Sequence, residues 1–284
     1  MSKSSNMLRL ALLQLKVSKD KVANVQNALK KITQVVNESK PRIVALSECF
    51  NCPYGTNYFR EYSETIPDGY TCKALSESAK QHGIYIIGGT IPEMGENDAI
   101  YNTCTIWDPK GNLIGKHRKV HLFDIDIPGG IRFKESETLS AGNKFTIVEF
   151  DGHKVGIGIC YDIRFEEMAR IYRNNGCEML IYPAAFNMTT GPMHWELLQR
   201  SRANDNQLYV ASISPSRDET AGYVAYGHSM VVDPWAKILA SAKEKEEVVI
   251  ADLDFSIVEK VRQQIPISTQ RRTDLYTTTE TNKV

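Results

Sequence analysis

Apolar residues along this chain recur with two periods. Leu8 to Val17 is a nearly unbroken apolar run and reads as a strand. From Ser18, a residue type that caps helices, Val22, Val25, Leu29, Ile32 and Val36 return at helical spacing to about Glu38. Arg42 to Leu46 is short and mostly apolar, as a strand buried on both faces would be. Thr71 to His82 reads as a helix stopped by Gly83, and Ile84 to Ile91 as the next strand. The chain therefore opens β-α-β-α-β, the pattern of a sheet covered by helices.

Tyr101 to Asp108 and Leu113 to Phe123 flank the turn Pro109-Lys110-Gly111-Asn112 and predict a hairpin. Asp124 to Gly142 has no period and reads as a long functional loop. Phe145 to Phe150 and His153 to Cys160 meet at Asp151-Gly152, a tight-hairpin signal. A helix from Glu166 to Asn174, closed by Gly176, follows. Next come a strand (Glu178 to Tyr182), a helix (about Met193 to Asp205) and a strand (Leu208 to Ile213). Strands near Gly227 to Asp233, Lys237 to Ser241 and Val248 to Leu253 precede a last helix from Ser256. The polar tail from about residue 271 is expected to extend away from the body. With no Gly/Ser/Pro-rich linker and no internal repeat, residues 1–284 read as one α/β domain of two β-α halves. Many strands and about five helices imply two sheets, each covered by helices on its outer side only.

Charge excludes some partners. Lys+Arg and Asp+Glu balance at 34 each, so no net field recruits nucleic acid or an anionic membrane. No apolar run approaches the roughly 18–20 residues that span a bilayer. Met1 to Met7 lacks the apolar core of a secretion signal, and Ser2-Lys3-Ser4-Ser5 is too little for a transit peptide. Six dispersed cysteines fit a reducing compartment better than a disulfide framework. The expectation is a soluble intracellular protein, cytoplasmic, with a mitochondrial location left open.

Several familiar signatures fail. Gly156-Ile157-Gly158 starts like a dinucleotide fingerprint, but Tyr161 stands where the third glycine belongs. Gly111 to Lys116 is one residue too short for a phosphate loop, and Gly227-His228-Ser229-Met230-Val231 lacks the closing glycine of a nucleophile elbow. Cys49 and Cys52 have zinc-ligand spacing, as do His117 and His121. On a strand, however, residues four apart lie about 13 Å from each other, too far for one ion.

Cys160 is the strongest candidate. It follows the run Val155-Gly156-Ile157-Gly158-Ile159, at the end of a buried strand and just before a helix. Free backbone N–H groups and a helix dipole at such a junction favour a thiolate; a small buried hydrophobe is the open alternative. Glu48 emerges from the core run Ile43-Val44-Ala45-Leu46 at the strand end where ligands bind in open α/β sheets. Lys119 lies in Lys116-His117-Arg118-Lys119-Val120-His121, on the strand face of Leu113 and His121, where a solvated edge charge is the alternative. Together a thiol, a carboxylate and an amine can attack and hydrolyse a carbonyl group without metal or organic cofactor.

These residues resemble the Glu-Lys-Cys triad of the nitrilase superfamily of carbon–nitrogen hydrolases. The similarity covers nearly the whole chain and is greatest to the omega-amidase branch. It is carried by Gly158-Ile159-Cys160-Tyr161-Asp162-Ile163-Arg164-Phe165, by His121 to Asp126, by Ala185 to Gly191 and by His194 to Ala203. The resemblance implies a four-layer αββα sandwich that pairs as a homodimer. It implies Cys160 as nucleophile, Glu48 as general base, Lys119 and the Tyr161 backbone N–H as oxyanion donors, and Glu135 as a second active-site glutamate. Implied substrates are small-molecule amides of dicarboxylic 2-oxo acids, such as 2-oxoglutaramate and 2-oxosuccinamate, split to the 2-oxo acid and ammonia through a cysteine thioester. Arg164, about one helical turn past the nucleophile, is a candidate for the distal carboxylate, with a salt bridge to Glu166 or Glu167 as its alternative. Phe186 and Thr190 are candidates for the pocket wall and a carboxylate hydrogen bond. A sister activity on deaminated glutathione and a silent binding protein of the same fold are the competing readings.

Overall fold

The computed structural model describes residues 6–129 and 132–281, so the Ser2 to Ser5 segment lies outside the described residues. In the first half, β1 (Met7–Gln14) leads into α1 (Lys21–Ser39), β2 (Ile43–Leu46), a short α2 (Phe59–Tyr62) and α3 (Tyr70–His82). Strands β3 (Tyr85–Ile87), β4 (Ile91–Met94), β5 (Ile100–Trp107) and β6 (Leu113–Arg118) follow. A small ribbon of β7 (Asp124–Asp126) and β8 (Arg132–Lys134) leads to β9 (Thr146–Phe150) and β10 (His153–Ile157). The second half adds α4 (Glu166–Asn174), β11 (Met179–Pro183), α5 (Gly191–Asn206), β12 (Tyr209–Ile213), β13 (Met230–Val232), β14 (Ile238–Ser241), β15 (Glu247–Asp254) and α6 (Ser256–Gln264).

Two sheets result. One has the order β15-β1-β2-β3-β5-β4, with β6 on β5; the other runs β14-β13-β12-β11-β10-β9. Successive side chains of a strand point to opposite faces. Leu8, Leu10 and Leu12 of β1 therefore join Val155, Ile157 and Leu180 of the second sheet in the core between the sheets. Ala11 and Leu13 face the other way, onto Val25, Ala28 and Ile32 of α1 and Leu75 and Ala79 of α3. On the far side, Met168, Ala169 and Tyr172 of α4 and Trp195 and Ala203 of α5 close the second sheet. This is the four-layer αββα sandwich expected from the sequence. No helix among the described residues is long and apolar enough to cross a membrane.

Local differences from the sequence reading have physical causes. The cap of α1 is Asp20, whose Oδ1 accepts from Ala23 N at 2.9 Å, while Ser18 bonds Asn24 instead. Val22 stays 55% exposed, because the stripe that meets the sheet is Val25, Ala28, Ile32 and Val35. Ile84 to Ile91 is two strands, not one. Gly89 turns the chain at φ +56°, where a Cβ would overlap the Ser47 carbonyl. The unpatterned loop contains the β7–β8 ribbon. Asp151-Gly152 makes the tight turn with φ of +48° and +90°. The tail returns to the body as far as it is described, with Asn174 Nδ2 donating to Thr278 O at 3.4 Å.

Candidate active site

The two sheets present their strand ends to one cavity of about 760 Å³, bordered by Glu48, Tyr54, Phe133, Ala185 and Tyr223 among others. Glu48 follows β2, the strand buried on both faces, and is itself completely buried. Its Oε1 accepts from Lys119 Nζ at 2.9 Å and from Asn102 Nδ2 at 2.8 Å. Lys119 is the first residue past β6, which ends at Arg118; its backbone N–H still donates to Asn102 O of β5, and its side chain is buried rather than solvated at the edge. There Nζ also reaches Glu135 Oε1 at 2.9 Å and lies 5.9 Å from the Tyr54 ring centre. Glu135, for which the sequence offered no local argument, sits in a one-turn helix after β8, fully buried. Tyr54 Oη donates to Glu135 Oε1 and the Phe123 N–H to Oε2, each at 2.7 Å.

Cys160 begins a single 3-10 turn (Cys160–Arg164) with φ +45°, a left-handed backbone that a non-glycine residue adopts at a cost. The thiol interacts with the Glu48 carboxylate and with the Ala185 backbone N–H. Its electrostatics correct the expected thiolate. Burial pushes the Cys160 pKa well above the usual thiol value and Glu48 adds to the shift, against the opposing pull of Lys119 and the Ala185 N–H. A five-residue turn lacks the aligned peptides that would offset this. The balance of these effects favours the neutral thiol over the thiolate. Burial also raises the Glu48 pKa, which Lys119 opposes, so the carboxylate is a stronger base than an exposed one. For Lys119, burial works against the charge, but Glu135 and Glu48 together hold its pKa well above the usual value. The set is an ammonium fixed between two carboxylates beside a thiol.

That arrangement has counterparts. The carbon–nitrogen hydrolase family profile matches residues 9–263. The chain belongs to the carbon–nitrogen hydrolase family. It is 56% identical to omega-amidase NIT2 of Danio rerio over 94% of this chain and 96% of that one. With omega-amidase NIT2 of Homo sapiens the identity is 53%, over 94% and 96%. The structure of Saccharomyces cerevisiae Nit3, a member of branch 10 of the nitrilase superfamily, superposes with a TM-score of 0.88 at 46% identity, covering 96% of this chain and 99% of that one.

Not every candidate reaches the cavity of this carbon–nitrogen hydrolase. Tyr161 follows Cys160 in the same turn, its ring edge-on to Phe123 and Phe165. Of the candidates only Glu48 borders the 760 Å³ space; Lys119, Glu135 and Cys160 lie buried behind it, and Arg164, Phe186 and Thr190 do not border it. Phe186 packs edge-on against Trp195, and Thr190 Oγ1 donates its hydrogen to Asn187 Oδ1 at 3.1 Å. Thr190 therefore has no hydroxyl proton left for a carboxylate. Arg164 makes no salt bridge to Glu166 or Glu167; Glu166 Oε1 takes Arg170 at 2.8 Å. Its guanidinium lies 5.1 Å from the Phe186 ring and 3.3 Å from His194 Nδ1. His117 and His121 are not 13 Å apart on a strand either: both rings converge on the Asp162 carboxylate. Sequence reasoning missed Tyr54, Asn102 and Asp162. Only Asp162 carried a signal, two residues past Cys160 and within the motif.

Proposed function

We propose that this carbon–nitrogen hydrolase is an omega-amidase, with Cys160 as nucleophile, Glu48 as general base and Lys119 as oxyanion donor. The observation that carries the reading is the fully buried Lys119 ammonium, 2.9 Å from both Glu48 and Glu135. Glu48 takes the thiol proton as Sγ attacks the amide carbonyl carbon. The oxygen gains its charge facing Lys119 Nζ and the Tyr161 N–H, which stabilise it. Glu48 then hands the proton to the departing nitrogen, ammonia leaves, and a thioester remains. Water, deprotonated by the same carboxylate, attacks the thioester; the returned proton restores the thiol and frees the acid. Glu135 keeps the lysine in place and charged throughout.

A dicarboxylic 2-oxo acid amide also needs a cation for its far end. Arg164 fills that role in this proposal, because it makes no ion pair with an acid among the described residues; on the cavity border Arg132 and Lys16 are paired with Asp126, Glu137 and Asp218, and Lys19, without an ion pair among the described residues, is the other cation available. A space of about 760 Å³ also admits a longer amide such as deaminated glutathione. Ammonia release from 2-oxoglutaramate and from deaminated glutathione, measured side by side, decides between them. Acid quenching during turnover should leave an acyl adduct on the Cys160 peptide; an adduct on Cys49, Cys52 or Cys177 refutes the assignment. The exposed Met193 and Leu197, one turn apart on α5, support the homodimer in the proposal.

A further inference from the structure

Lys119 and Cys160 come from chain segments about forty residues apart in sequence, and one carboxylate ties the two segments together. Asp162 is completely buried and accepts four hydrogen bonds. Oδ2 takes the Ile159 N–H at 2.9 Å and His117 Nε2 at 3.3 Å; Oδ1 takes the His121 N–H at 2.9 Å and His121 Nδ1 at 2.8 Å. Ile159 and Asp162 bracket the nucleophile, while His117 and His121 bracket the lysine. The outer atoms of this arrangement are fixed as well. His117 Nδ1 bonds Thr146 Oγ1 at 3.1 Å, and the His121 ring stacks on Phe165 with centres 3.6 Å apart. All four partners present N–H groups to Asp162, so the carboxylate is held ionised and well below its usual pKa, burial notwithstanding.

We propose that Asp162 is a positioning residue, which through His117, His121 and the Ile159 N–H fixes the Lys119 segment against the Cys160 turn. It touches no reacting atom. Its importance follows from Cys160's left-handed backbone: a strained turn keeps its shape only while its surroundings over-determine it. The inference rests on the roles assigned to Cys160 and Lys119, and misplacing such groups by about 1 Å costs about 10²-fold in rate.

The test uses Asp162→Asn, His121→Asn and His121→Leu in the full chain. Asparagine at 162 has one acceptor oxygen for four donors, so kcat should fall about 10²-fold with KM little changed. His121→Asn keeps an N–H near the place of Nδ1 and should restore most of kcat, whereas His121→Leu should not; both lose the stacking on Phe165, so their difference isolates the hydrogen bond. Alkylation of Cys160 by iodoacetamide is followed in parallel and should slow in Asp162→Asn and His121→Leu, as Glu48 and Lys119 lose their alignment with the thiol. Lowered melting temperatures with unchanged kcat and unchanged alkylation would overturn the proposal, as would equal loss in the two His121 variants. If the unmodified protein releases no ammonia from any amide, the functional reading fails, and the alkylation rates still decide the role of Asp162.

Discussion

Glu135→Gln tests the second glutamate, because it keeps the side chain's size while removing one charge and one acceptor. Three donors surround its two oxygens: Lys119 Nζ at 2.9 Å and Tyr54 Oη at 2.7 Å on Oε1, and the Phe123 N–H at 2.7 Å on Oε2. Glutamine offers one oxygen and an NH2 that only donates. In one orientation the NH2 meets the Phe123 N–H; in the other it meets the Lys119 ammonium. Either way a buried donor loses its acceptor, at about 1–3 kcal/mol. Expressed in the placement of Lys119 at the transition state, that is a fall in turnover of roughly 5- to 150-fold. The lost charge acts on the pH profile separately. Burial raises the Glu48 pKa, Lys119 lowers it and Glu135 raises it further, so removing Glu135 brings the Glu48 pKa down. Glu48 works as a base only when ionised, so the acid limb of kcat/KM should move to lower pH. Initial rates of ammonia release from 2-oxoglutaramate across the acid-to-neutral range measure both effects. Unchanged turnover, or an acid limb that moves to higher pH, refutes the reasoning.

Lys119→Arg should lose about 10²–10³ in turnover despite keeping the charge, because a planar guanidinium does not fit a compact ammonium's place between Glu48 and Glu135; a change in KM alone would refute the role. Arg164→Met should erase the preference for 2-oxoglutaramate over a neutral amide of similar length, a loss of about 2–5 kcal/mol, while Cys160 still reacts with iodoacetamide. A preserved ratio would move the carboxylate site to Lys19 on the cavity border. Asp162, with its pKa held below the usual carboxylate value, contributes stability that is present above that value and lost as pH falls toward its folded pKa. Acid unfolding followed by circular dichroism should therefore be less steep in Asp162→Asn. Gly89→Ala should lower the melting temperature sharply, since its φ of +56° and the adjacent Ser47 carbonyl leave no place for a Cβ.

Much of this fold was legible in the chain because its elements are specified locally. Helical and strand periods, Gly83 and Gly176 as stops, and Asp151-Gly152 as a turn depend on neighbours a few residues away. They place α1, α3, α4 and the β9–β10 hairpin to within a few residues. Cys160 and Glu48 were legible for the same reason, since each ends a core strand. Where the chain had to choose among partners, local pattern was insufficient. Ser18 and Asp20 are both good caps, and only the packing of α1 selects Asp20. Lys119 and His121 continue the pattern of β6, and the Lys119 N–H still bonds Asn102 O of β5, yet the strand ends at Arg118 and the His121 N–H and ring go to Asp162 instead of to a strand partner. The charge state of the thiol was also out of reach, because it depends on burial and on carboxylates distant in sequence. By itself the sequence determined the elements, their layering and the kinds of chemical group at the strand ends. Tertiary structure alone decided that Glu48, Lys119, Glu135 and Cys160 meet as one buried cluster, because their separations and desolvation arise only when both sheets close on each other.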